Sequence, residues 1–97
     1  MQFQEVAGII EANKFLIGQT FNGATIDELV CIPVGYEEEY KKLYLETQNA
    51  EQTLAMLIKL QRIFPTDVEY QIHAVLDKYR LVSNGVFVCT NINEIIG

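Results

Sequence analysis

The chain has 97 residues, of which 49% are hydrophobic and 21% charged, and a formal charge of −6. That length closes one hydrophobic core without staples, and the balance excludes a disordered or fibrous chain. The negative sign argues against direct binding to nucleic-acid phosphates or anionic membranes, and no apolar run approaches the length of a membrane span.

The N-terminal stretch MQFQEVAGII has no basic n-region and carries Glu5. It does not read as a secretory signal, so a cytoplasmic chain is expected. Residues 2–13 are predicted as a helix, because Phe3, Val6, Ala7 and Ile10 recur at i, i+3, i+4 and i+7. Asn22-Gly23 then lies between two extended-looking runs and predicts a hairpin, with Gly18 as a bulge or a helix end. The firmest strand there is 28–33, stopped by Pro33-Val34-Gly35.

From Tyr36 the pattern turns helical. Glu37, Glu38 and Glu39 occupy the first turn, where the helix dipole favours acids. Apolar or small residues recur at 36, 40, 43, 47, 50, 54 and 57, which predicts one long helix over 36–63. It would measure about 42 Å at 1.5 Å per residue. A domain of this size has a radius of gyration of about 13 Å, so the excess would pack on another chain. The competing reading breaks the helix near TQNAEQ, where Asn49 and Gln52 have capping-box spacing.

Phe64-Pro65 ends this element. Thr66 and Glu69 have capping-box spacing ahead of a stripe of Val68, Ile72, Val75, Leu76 and Tyr79, which predicts a helix over 67–79. Alternation of Val68, Tyr70, Ile72, Ala74 and Leu76 supports a strand instead, and the cap favours the helix. Asn84-Gly85, between two β-branched runs, predicts a second hairpin, and NINEIIG a last helical turn capped by Asn91 and Glu94. The expected fold is therefore a single α+β domain over residues 1–97. Its antiparallel sheet comes from two Asn-Gly hairpins, covered by about three helices, one of them long.

Helix followed by hairpin suggests a winged-helix regulator. Residues 64–97 weigh against DNA reading, since Asp67, Glu69, Asp77 and Glu94 outnumber Lys78 and Arg80. His73 lies four residues from both Glu69 and Asp77, which on a helix reads as a solvated polar face. Cys31 and Cys89 sit in apolar strand-like runs and are expected to be reduced, buried and inert. Either would act as a nucleophile with His73 only if the fold joined them. One histidine and no CxxC leave too few ligands for tetrahedral zinc, and no phosphate loop or GxSxG is present. No enzyme activity, cofactor or metal is expected.

The binding surface expected from the sequence is YEEEYKKLY. Tyr36, Tyr40 and Tyr44 stack along one side of a helix, and Glu37, Glu38 and Glu39 form an acidic fringe. The bland alternative is that these rings cover the domain's own sheet. The expected function is a non-catalytic, acidic interaction or assembly protein, a homodimer or a subunit of a larger complex. Such a short, motif-poor chain also fits a virus- or mobile-element-encoded accessory protein. The rivals are an inhibitor that occupies a basic nucleic-acid-binding surface, a winged-helix-like regulator, and a small enzyme or ligand binder.

Overall fold

Asn22 and Gly23 both adopt positive φ, 52° and 82°, as a two-residue type I′ turn requires. In the computed structural model, which describes residues 1–96, this turn joins β1 (Thr20–Phe21) to β2 (Ala24–Pro33), with Phe21 opposite Ala24. Before them, α1 (Phe3–Ala12) starts where the Glu5 carboxylate accepts the Gln2 N–H at 3.0 Å. A 3-10 turn over Lys14–Leu16 then leads to Gly18, whose φ of 94° turns the chain toward β1.

The helical stretch after Tyr36 is two helices, α2 (Glu37–Thr47) and α3 (Ala50–Gln61). Gln48 adopts the left-handed conformation, and the Asn49 side chain accepts the Gln52 N–H at 3.0 Å. The single long helix expected over 36–63 is thus corrected to a helical hairpin. The break lets both halves bury their apolar sides on one sheet, and the radius of gyration is 12.9 Å.

A second correction falls on residues 67–79. Pro65–Asp67 form a 3-10 turn, and β3 (Tyr70–Leu76) follows as a strand. It pairs antiparallel with β2, Val30 opposite His73 and Cys31 opposite Ile72. Tyr79, assigned by the helical reading to the buried stripe, is 80% exposed. The third correction concerns Asn84-Gly85, which is no hairpin turn. Asn84 closes α4 (Lys78–Asn84), and Gly85, at φ 68°, is its left-handed end. β4 (Val88–Asn91) then pairs antiparallel with β3, and α5 (Asn93–Ile96) ends the described chain. The Asn91 side chain accepts the Asn93 N–H at 2.9 Å, as its expected capping role requires; Gly97 of that predicted turn lies outside the described residues. Strand–helix–strand therefore replaces helix–hairpin, and the unit behind a winged-helix reading is not formed.

The result is an α+β domain with a four-stranded antiparallel sheet in the order β1-β2-β3-β4. Helix α1 covers one face through Val6, against Leu29, Cys31, Ile72 and Ala74. The α2–α3 hairpin covers the other, where Tyr40, Tyr44 and Leu57 pack with Val30, Ile32 and Val75. Strict alternation would place Ile26 beside Val30. The irregularity between Ile26 and Glu28 shifts the phase, so Ile26 joins Leu29 on the α1 side and Glu28 turns toward α2.

Candidate functional site

Burial on both faces leaves few places where chemistry-bearing side chains meet. The phase shift in β2 creates the first. Glu28 accepts a hydrogen bond from the Tyr44 hydroxyl and another, at 3.1 Å, from the Lys78 ammonium. The same ammonium lies 5.6 Å from the centre of the Tyr44 ring. Burial, then the Glu28 hydrogen bond and charge, push the Tyr44 hydroxyl well above the usual tyrosine range. These bonds tie α2, β2 and the start of α4 together, and Asp27 adds to them by accepting the Lys78 N–H at 2.7 Å.

The second meeting point joins β3 to β4. Cys89 Sγ lies 3.7 Å from His73 Nδ1, so the fold does bring one cysteine to the histidine. Ile32, Glu37, Lys41 and Glu94 help line a cavity of about 260 Å³ around them. Burial chiefly lowers the His73 pKa, with Lys41 acting the same way and Glu37 and Glu94 opposing. Burial likewise raises the Cys89 thiol, with Glu38 acting the same way and Lys41 opposing. Both shifts favour the neutral pair, whereas nucleophilic catalysis needs the thiolate. His73 Nε2 is buried and finds no hydrogen-bond partner among the described residues, so no third group orients the ring as a base. Glu69 and Asp77 do not share this site. A strand separates positions four apart by about 13 Å, so the polar face drawn for a helix is dispersed.

Cys31 lies on the α1 side of the sheet and Cys89 on the α2 side, and both are free thiols. Burial pushes Cys31 up to about 11. At pH 8 roughly a thousandth of such thiols are ionised. Alkylation of the folded protein is therefore expected at Cys89 first, at the mouth of its cavity, and at Cys31 only after unfolding. Peptide mass spectrometry over a time course reads the order, and modification of Cys31 first would refute this placement.

The tyrosine stripe is divided by the fold. Tyr40 and Tyr44 are fully buried, stacked with centroids 6.1 Å apart, and Phe87 meets Tyr44 edge-on at 4.9 Å. A surface role for these two rings is corrected: they are core, as their contacts with Val30, Ile32 and Val75 require. Tyr36 is half-buried, and Glu37 is engaged by the Gly35 N–H at 2.8 Å. Glu38 and Glu39 remain exposed, with Lys41 3.7 Å from Glu38.

Two apolar surfaces stand out that sequence periodicity does not mark. One is the segment of α4 and β4 in which Tyr79, Val82, Val86 and Val88 are 80%, 61%, 44% and 38% exposed. The other is a cleft of about 480 Å³ along β2 between α1 and α3, lined by Phe3, Val6, Ile10, Tyr40 and Leu54 among others. Among the described residues no cluster of three or more His, Cys, Asp or Glu side chains could hold a metal, and no helix is long and apolar enough to cross a membrane. Comparison with protein-family models, curated proteins and solved structures finds no match.

Proposed function

We propose that this is a non-catalytic interaction and assembly protein that self-associates through α4 and the outer edge of β4. The observation that carries the reading is the unguarded sheet edge at β4, preceded in the chain by exposed Tyr79, Val82 and Val86 and carrying exposed Val88. Soluble proteins usually blunt such an edge with Lys, Pro or a bulge, and Val88-Cys89-Thr90-Asn91 has neither residue and no bulge. The Ile92 N–H donates to the Ile72 carbonyl at 3.0 Å, which sets the phase of pairing with β3. Cys89 and Asn91 accordingly turn their main-chain groups outward, available to a second β4. Two copies joined edge to edge by a two-fold axis would extend the sheet and cover Val88 on its α1 side and Val82 on its α2 side. The neutral, unoriented His73–Cys89 pair supports the non-catalytic part of the reading.

Sedimentation equilibrium tests it. Wild type is expected to be a dimer at micromolar concentration. The variant carrying Val82→Asp and Val88→Lys loses two apolar contacts of about 1.5 kcal/mol each, which weakens association ~100-fold. Its circular dichroism is expected to stay that of the wild type, because both side chains are exposed. A wild type that stays monomeric at high micromolar concentration sinks the proposal.

A further inference from the structure

The edge of β2 opposite β3 is covered by β1 at Ala24 and Thr25, and just beyond it the Gly18 N–H donates to the Ile26 carbonyl and the Ile26 N–H to the Gln19 carbonyl, both at 2.8 Å. From Glu28 to Ile32 that edge has no strand beside it among the described residues. The Val34 N–H donates to the Glu69 carbonyl at 2.9 Å, so Ile32, Val30 and Glu28 exchange bonds with β3. Leu29 and Cys31 then turn their N–H and C=O groups the other way, where among the described residues they find no main-chain partner, the Cys31 N–H meeting only its own Sγ. Both residues are buried, 6% and 9% exposed. Buried main-chain groups are nearly always paired, and leaving them unpaired is costly. Tyr40 lines the same cleft, fully buried, and its hydroxyl also has no partner among the described residues.

The cleft is long as well as apolar. The cavity of about 480 Å³ shares Ile10, Leu29, Ala50 and Glu51 with a neighbouring one of about 510 Å³, which adds Glu28, Gln48, Asn49 and Lys78. The two cavities therefore adjoin along the β2 edge, the one beside Cys31 apolar and the one beside Glu28 polar. Two carboxylates against one ammonium leave the polar end negative, in a chain whose net charge is −6.

We propose that this groove binds an extended peptide segment of a protein partner as an added β-strand. The segment pairs its main chain with Leu29 and Cys31, seats apolar side chains between α1 and α3, and places a Lys or Arg beside Glu28 and Glu51. Strand addition supplies the missing main-chain bonds, and the two halves of the groove select the side chains. This site is separate from the α4–β4 surface, so the variant carrying Val82→Asp and Val88→Lys leaves it intact and either proposal can fail alone.

Two measurements on the full chain test it. Amide hydrogen exchange of the free protein is expected to be at least ~10-fold faster at Leu29 and Cys31 than at Val30 and Ile32, which are paired with β3. Equal protection at all four means the edge is already closed and overturns the proposal. Selection of random seven-residue peptides is then compared between wild type and Ala7→Trp, an exposed groove position where a large ring fills the cleft. Enrichment of apolar, β-branched sequences with Lys or Arg, lost in Ala7→Trp, is the expected result. The enriched peptide should slow exchange at Leu29 and Cys31 and bind at least ~10-fold more weakly when N-methylated on alternate amides. No enrichment, enrichment unaffected by Ala7→Trp, or indifference to N-methylation would each overturn it. The last outcome would reassign the cleft to small apolar ligands.

Discussion

Replacing Tyr40 and Tyr44 together by Ser is expected to leave the protein unfolded at 25 °C. Each ring is fully buried, and trimming a buried aromatic to a small residue costs about 3–5 kcal/mol. Two such losses, about 6–10 kcal/mol, consume the 5–15 kcal/mol that a small domain typically has. The rings also stack on each other, and Tyr44 holds Glu28, so the effects are coupled. Tyr79→Ser is the control. That ring is 80% exposed, and its loss should change stability by no more than about 0.5 kcal/mol. Urea denaturation followed by circular dichroism reads both. A double variant that stays folded and merely dissociates would return the tyrosines to the surface role that their spacing suggests.

Ala74→Asp separates strand from helix over residues 67–79. On a helix with its stripe at 68, 72, 75 and 76, position 74 points nearly opposite Ile72 and tolerates a charge. On β3, Ala74 shares a face with Ile72 and Leu76, is fully buried under α1, and sits opposite Leu29. A carboxylate there has no partner, which costs about 3–5 kcal/mol if it stays ionised. The variant is expected to melt far below wild type and to recover part of the loss at acid pH, where the side chain is neutral. The sign follows from burial: it raises the carboxyl pKa, so the penalty is complete above the folded pKa and shrinks as pH falls through it. A wild-type melting curve at pH 7 would restore the helical assignment.

Both Asn-Gly pairs show what local chemistry encodes. Gly23 and Gly85 each take positive φ, so the dipeptide does mark a left-handed residue at both places. Asn22 joins Gly23 in positive φ and makes a hairpin, whereas Asn84 remains the last residue of α4. The difference lies in what precedes: residues 78–84 bury Leu81 against the α2 side and hold a helix up to the glycine. Segment 67–79 satisfied two periods at once, and its partner strand chose between them.

The candidate sites were less legible. Cys89 and His73 are 16 positions apart, Lys78 and Glu28 are 50, and the β2 groove draws on α1, β2, α2 and α3. No spacing rule connects such residues. The exposed valines of α4 and β4 read as strand interior in the sequence, because β-branched runs carry no record of which face finds a cover.

By itself the amino-acid sequence determined the α+β composition, the turn at Asn22-Gly23 and the acidic first turn of α2. Each depends on bonds and dihedrals within a few residues, which local side chains specify. Tertiary structure decided that residues 70–76 are a strand, that Tyr40 and Tyr44 are core, and that one edge of β2 stays open. Those outcomes depend on which surfaces meet: β2 supplied the hydrogen-bond partner that turned an ambiguous period into β3, and β1, two residues long, stopped short of covering Leu29 and Cys31.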